Sequence, residues 1–334
     1  MKIALTGDVM LGRLVNDHMR HASPEYFWGS TLPLIRSADF SIINLECALT
    51  ASDSPWARTP KVFFFKADPE RAIAVLNAAG VKFANLANNH VLDYELQGMK
   101  GTTDALRQAG IGFCGAGMNI EQAARPEFVE AGGLRIAVIG ATDNTPEWQA
   151  AERLPGVNYI QINEASARAL AASARSAREQ ADLLIFSVHW GPYMRERPKQ
   201  DSVDFAHIMI ENGVDVIHGH SAHLFQGIEI RNGKVIIYDA GDYIDDYAVD
   251  PVLRNDRSFL FVLDVEDDGT IAGVSLHPTV IDFFQVNLAA GKDRQEILRR
   301  MQMLCAEMGT RAVKANRELH VDVQGRLAGK ARLR

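Results

Sequence analysis

Asp8, Glu46, Asn89, His90, His189, His220 and His223 have the types and positions to do one piece of chemistry together. Each sits at or just beyond the end of a short apolar run. Asp8 follows Ile3-Ala4-Leu5, Asn44-Leu45-Glu46 closes the run from Phe40, and Asn88-Asn89-His90 follows Phe83 to Leu86. His189 follows Leu183 to Val188, and His218-Gly219-His220-Ser221-Ala222-His223 follows Val214 to Ile217. Imidazoles with carboxylates and an amide oxygen form a ligand set for one or two borderline divalent ions such as Mn, Fe or Zn. Glu46 has two oxygens and can bridge a pair of ions. No cysteine belongs to the group, so a thiolate site is excluded. His90 adjoins Asn89 without having to bind metal itself, and an imidazole titrating near neutrality suits a proton donor to a leaving group. Arg13, Lys61, Arg195 and Arg197 in nearby loops can hold an anionic substrate. Singly, each residue also fits a plain role as a turn, cap or solvated cation. The set points to metal.

For these side chains to meet, the strands that carry them must end at one edge. Apolar runs alternate with helical patterns along most of the chain, which predicts an α/β fold with parallel sheet, whose strand ends converge on one crevice. Further strands are expected at 111–113, 135–140, 235–238 and 258–265. Helices are expected at 69–79, with Asp68 as cap, Pro69 at the first helical position and Gly80 as stop, and at 94–109, 165–180 and 202–211. Residues 227–238 read as a hairpin around Asn232-Gly233, which adds antiparallel pairing. The expected architecture is a four-layer α/β/β/α sandwich of two mixed sheets with outer helices over residues 1–285. A C-terminal helix near 293–308 and a basic tail fill 286–334. Phe63-Phe64-Phe65 is expected as a buried strand, Cys47 as a buried thiol, Trp190 as crevice wall or core, and Asp239, Asp242, Asp245 and Asp246 as an acidic loop that can touch the site but is more commonly solvated.

Composition sets the class. The chain has 334 residues, 47% apolar and 23% charged, enough for a sizeable core. Its formal charge is −7. From Lys292 onward eleven Lys and Arg face five Asp and Glu, so an acidic body carries a basic tail. An acidic body argues against a nucleic-acid partner. No apolar run is long enough to span a membrane, and Asp8 comes too early for a signal peptide. Three cysteines at unrelated positions form neither a disulfide framework nor a zinc knuckle, which fits a reducing cytosol. A cytoplasmic protein is expected.

At these motifs the sequence resembles the CapA family, the poly-γ-glutamate capsule biosynthesis proteins with a calcineurin-like metallophosphoesterase fold. The resemblance rests on Gly7 to Arg13, Asn44-Leu45-Glu46, Ala87 to His90 with Asp93-Tyr94 and Gly98, Gly115 to Asn119, His189-Trp190-Gly191 with Tyr193 and Pro198, Gly213 to Gln226, and Tyr238 to Tyr243. It covers residues 3 to about 280. It implies a two-metal site between two sheets, with Glu46 bridging, Asp8 and His223 on one ion, and Asn89, His189 and His220 on the other. It also implies His90 as general acid. Arg13, Asn44, Lys61, Tyr193, Arg195 and His218 are expected, from their places near the strand ends, to touch substrate. The chain departs from the family pattern at Met10, where related phosphatases carry a ligand histidine, at Ser221-Ala222, at Asp242 in place of an asparagine, and in having His218. Members are commonly membrane-anchored, and no anchor is recognised here. The function implied is hydrolysis of a phosphoester or a γ-glutamyl-type amide in a small anionic or γ-glutamyl substrate, by metal-activated water. The alternatives are a non-catalytic binding or assembly module for poly-γ-glutamate or another acidic polymer, and a metal-independent binding protein.

Overall fold

The strand Lys2–Val9 is buried along all but its first residue, as an apolar run central to a sheet must be. It pairs in parallel with Phe40–Leu45, which pairs with Phe83–Asn85, which pairs with Gly112–Cys114. On its other side it meets Arg257–Val265 in antiparallel register. The computed structural model, which describes residues 1–326, extends this into a ten-stranded mixed sheet. A second sheet of six strands has Leu134–Thr142, Leu183–His189, Val216–His220 and Lys234–Ile237 in parallel. The expected hairpin, Ile228–Arg231 with Lys234–Ile237, forms its edge, and Asn232 and Gly233 take φ of 52° and 71°. Both positive values suit the turn that matches strand twist.

Side-chain alternation sorts the layers. Ile3, Leu5, Ile42 and Phe83 of the large sheet share a core with Val138, Ile185, Val216 and Ile237 of the second. The opposite face of the large sheet, with Ala4, Ile43 and Ala84, packs on helices Pro69–Ala79 and Glu95–Gln108. The outer face of the second sheet, with Leu184, Phe186 and Ile217, packs on Glu164–Arg178 and Gln200–Glu211. The fold is therefore the expected four-layer α/β/β/α sandwich of two mixed sheets with outer helices. Local chemistry sets its elements. The Asp68 carboxylate accepts from the Arg71 amide at the start of helix Pro69–Ala79, and Gly80 closes that helix at φ 69°. Ala167, Ala171, Ala174 and Ala177 give helix Glu164–Arg178 a buried small-residue face.

The C-terminal segment does more than the sequence suggests. Helix Gly291–Glu307 buries Ile297, Leu298, Met301, Leu304 and Cys305 against the core between the sheets. After it, Ala312–Ala315 and Glu318–Asp322 form a hairpin that extends the large sheet, where a tail was expected. Its turn has no Gly or Pro to mark it, only Asn316 at φ 55°. Of the expected basic tail, residues 327–334 lie outside the described residues.

The two sheets are tied together at one end. After Ile237 the chain leaves the second sheet, and Asp242–Ile244 pairs with Asp8 and Val9 of the large one. The Asp8 amide donates to Gly241 O at 3.0 Å and the Ala240 amide to Gly219 O at 2.9 Å. This crossing needs glycine. A Cβ on Gly7 would sit 1.6 Å from Gly241 O, and one on Gly219 would sit 2.0 Å from Tyr238 O. Gly7→Ala should cost more than about 3 kcal/mol, because the atom it meets is backbone and the core cannot yield. Urea unfolding checks this, and a midpoint equal to that of the parent would show that the strands can part freely.

Candidate metal centre

The expected strand ends do converge at this crossing. Two clusters of ligand atoms, each with all members within 4.8 Å of one another, share Asp8: Asp8 with His189 and His220, and Asp8 with His223 and Asp242. Asp8 Oδ1 lies 3.8 Å from His189 Nδ1 and 4.0 Å from His220 Nδ1, and Oδ2 lies 3.6 Å from His223 Nδ1. His189 Nδ1 and His220 Nδ1 are 2.9 Å apart, and His189 Nε2 is 2.9 Å from Asn89 Oδ1. Glu46 Oε1 stands 3.7 Å from His189 Nε2 and 3.9 Å from His90 Nε2. Its other oxygen accepts from the Tyr247 hydroxyl at 3.1 Å. Asn89 and His223 are half-buried and mark the side open to solvent, while Asp8, Glu46, His189 and His220 are buried.

The electrostatics are those of acids gathered without enough cations. Burial pushes Asp8 up to about 7, with His223 pulling against it and Asp242 adding to it. Glu46 is raised by burial and then by Asp8, and burial also raises Asp242 and Asp245. Burial opposes charge on His223, yet Asp242, Glu46 and Asp8 outweigh it and hold the ring as imidazolium. His189 and His220 are pushed down, first by burial. Among the described residues, Asp8 Oδ2 and Asp242 Oδ2 are buried with no hydrogen-bond partner of normal geometry. Buried oxygens without partners are costly. The unpartnered oxygens of Asp8 and Asp242, with the neutral rings of His189 and His220 beside Asp8, are a donor set that fits a divalent cation, and His223 would join it by giving up its proton.

His90 is held apart from the clusters. Its Nδ1 lies 2.6 Å from Asp93 Oδ2, and its ring stacks on Phe65 with centroids 3.9 Å apart and planes at 19°. Burial lowers its pKa, with Asp93 pulling the other way. Asp93 also faces Lys61 Nζ at 3.2 Å, and Lys61 donates to the Asn89 carbonyl at 2.6 Å.

A model of the family described as "Bacterial capsule synthesis protein PGA_cap" matches residues 2–247, which span every residue of this centre. The chain belongs to that family. A "Probable polyglutamine synthesis accessory protein" of Mycobacterium tuberculosis H37Rv is 30% identical over 323 residues, covering 92% of this chain and 84% of that one. The "Capsule biosynthesis protein CapA" of Bacillus anthracis is 24% identical, covering 88% and 69%. Among solved structures, a hypothetical protein from Thermus thermophilus aligns at 16% identity and TM-score 0.49, over 83% of this chain and 98% of that one. A purple acid phosphatase from yellow lupin aligns at 10% and TM-score 0.37, over 86% and 52%. Among the described residues, no helix is long and apolar enough to cross a membrane.

Within this PGA_cap chain several expected contacts take other roles. His218 was expected at the substrate. It is fully buried, because the strand runs on to His220 and carries His218 inside the sheet, with Nε2 2.7 Å from Thr6 O and Nδ1 3.0 Å from Ser187 Oγ. Asn44 is also fully buried and cannot meet a substrate. Its amide nitrogen donates to Asp8 Oδ1 at 2.7 Å, and its oxygen accepts from Asn85 and Asn88 at 3.0 and 3.1 Å. Arg13 lies at the rim, 5.6 Å from the Phe65 ring, but its charge faces Asp246 at 3.3 Å. Lys61 is likewise matched by Asp93. Tyr193 is 73% exposed, and the Arg195 carbonyl accepts from Gln226. Arg197 pairs with Glu307 on the C-terminal helix.

Other residues either depart from what the sequence suggested or settle between its alternatives. The loop Asp239 to Asp246, expected in solvent, has Asp239, Asp242 and Asp245 buried, and Asp242 Oδ1 lies 2.7 Å from His223 Nδ1. The pairing of Asp242 with Asp8 is the reason, and it follows from the strand crossing between sheets. Phe65 is a ring platform rather than part of a strand, while Phe63 is 59% exposed. Trp190 is core, packed on Phe205 and Tyr238. Cys47 is buried as expected.

Proposed function

We propose that this chain is a metal-dependent hydrolase, with Asp8, Glu46, Asn89, His189, His220 and His223 holding one or two divalent ions and His90 acting as general acid. Asp242 joins this set beside Asp8 and His223. The observation that carries the reading is the pairing of two ligand clusters on Asp8 with a separate, oriented imidazole at their edge. A bound divalent ion supplies Lewis acidity and lowers the pKa of water there.

The remaining work falls to the chain. His90 presents Nε2 toward Glu46 and the open side, and Asp93 on Nδ1 fixes the ring and favours its charged form. A proton on Nε2 is the one available to a leaving oxygen or nitrogen. Phe65 covers one face of that ring and keeps water from it. Tyr247 holds the Glu46 carboxylate by hydrogen bond. Because Lys61 and Arg13 are already matched by acids, an anionic substrate depends chiefly on the ion for its countercharge.

The substrate is a small anionic or γ-glutamyl compound, and the scissile bond a phosphoester or a γ-glutamyl-type amide. The second bond is suggested by the relatives named for capsule and polyglutamine synthesis. The word "accessory" in one of those names supports the other reading, a binding or assembly module for an acidic polymer. Elemental analysis of purified protein, joined to assays on phosphoesters and γ-glutamyl amides with Mn²⁺, Fe²⁺ or Zn²⁺, separates them. Bound metal and turnover of either class are expected. Absence of both sinks the hydrolase, and polymer binding without turnover favours the module.

A further inference from the structure

His218, Ser187 and His220 are each fully buried and lie side by side on two paired strands, with Ser187 directly opposite His218 and His189 opposite His220. They form one hydrogen-bonded row. His218 Nε2 is 2.7 Å from Thr6 O, His218 Nδ1 is 3.0 Å from Ser187 Oγ, and Ser187 Oγ is 3.1 Å from His220 Nε2. The row begins in the other sheet, and a bulge makes this possible. Between the pairs Leu5–Ile42 and Asp8–Asn44 the first strand has one more residue than its neighbour, which takes Thr6 out of regular register.

The direction of the row follows from donor chemistry alone. A carbonyl oxygen only accepts, so His218 Nε2 carries the hydrogen. His218 pairs with Thr6 O and Ser187 Oγ and with no carboxylate among the described residues, so the buried ring is neutral and its Nδ1 accepts. The Ser187 hydroxyl therefore donates to His218, and its oxygen accepts from His220 Nε2. A neutral His220 is thereby the Nε2–H tautomer. Its bare Nδ1 faces the centre, 2.9 Å from His189 Nδ1 and 4.0 Å from Asp8 Oδ1.

We infer that His218 and Ser187 are positioning residues, which relay the polarity of the Thr6 carbonyl to His220 and present its Nδ1 lone pair to a divalent ion. The inference rests on the metal-centre reading, but its first test needs neither metal nor turnover. In chelator-treated full-length protein labelled with ¹⁵N-histidine, the His220 signals are assigned by their loss in His220→Gln. They should show a bare Nδ1 and a protonated Nε2. Ser187→Ala should abolish that preference and weaken Mn²⁺ binding, measured by equilibrium dialysis, about 10–100-fold. His218→Phe should weaken it similarly, and the double variant should be no worse than the weaker single variant, because both break one row. His218→Asn, with an amide oxygen near the Nδ1 position, should recover part of the affinity. A protonated Nδ1 on His220 in the parent protein, or parental Mn²⁺ affinity in folded Ser187→Ala, overturns the inference. Failure to hydrolyse any substrate would count against the proposed activity and leave the tautomer result standing.

Discussion

Asp8→Asn should abolish metal binding and turnover, and at the same time stabilise the metal-free chain. Asp8 belongs to both ligand clusters, so no arrangement of the remaining residues replaces it. The second effect comes from its burial. Its pKa is 3.8 in an ordinary setting and is pushed up to about 7 in the fold. Between those values the folded state holds a proton that the unfolded state has lost, so stability falls as pH rises across that window. Above it the full cost, about 4 kcal/mol, is in place. Asparagine carries no charge and escapes that cost while its oxygen still accepts from Asn44. In chelator, urea unfolding at pH 8 should show the variant more stable by up to about this amount, with the difference vanishing near pH 4. With metal present the order should reverse, because only the parent gains binding energy. A variant that retains metal, or a parent whose metal-free stability is flat from pH 4 to 8, contradicts this account.

His90→Ala should lower turnover by about 10²–10⁴-fold while metal content stays that of the parent. His220→Ala should lower both. The difference follows from position, since His90 faces Asp93 and Phe65 and stands 3.9 Å from Glu46. A general acid acts in its protonated form, and burial lowers His90 from its ordinary 6.5 despite Asp93. Activity limited by this proton should therefore fall as pH rises through a value below 6.5. Asp93→Asn removes the carboxylate that raises it and should move that limb further down. Metal analysis beside a kcat/KM profile against pH checks both points. Equal metal loss in the His90 and His220 variants would mean that His90 is a ligand.

Much of the centre was legible because parallel strands deliver the residues at their carboxyl ends to one edge. Asp8, His189, His220 and His223 sit where apolar runs stop, and a run's end can be read from sequence. The layers were legible for the same reason, through the alternation of strands with helices such as the one capped by Asp68 and closed by Gly80. The features that escaped depend on contacts between distant segments. Asp242 reads as one acid in a loop until the chain crosses between sheets and sets it beside Asp8. Phe65 and His90 are 25 positions apart with no periodicity to link them. His218 was misplaced by a two-residue error in a strand end, which decides whether an imidazole meets solvent or core. The hairpin after the last helix lacks the glycine that revealed the one at Asn232-Gly233.

The place of Lys2–Val9 between Phe40–Leu45 and Arg257–Val265 also bears on the order of events during synthesis. Lys2–Val9 and its antiparallel partner strand lie about 250 residues apart in the chain. Pairing across such a separation is slow, because a long loop must close before the contact is rewarded. The nascent chain must therefore carry Lys2–Val9 with one edge open until Arg257–Val265 has been made. The clustered side chains from Asp8 to Asp242 all precede Arg257–Val265, so the strand that closes this edge supplies none of them.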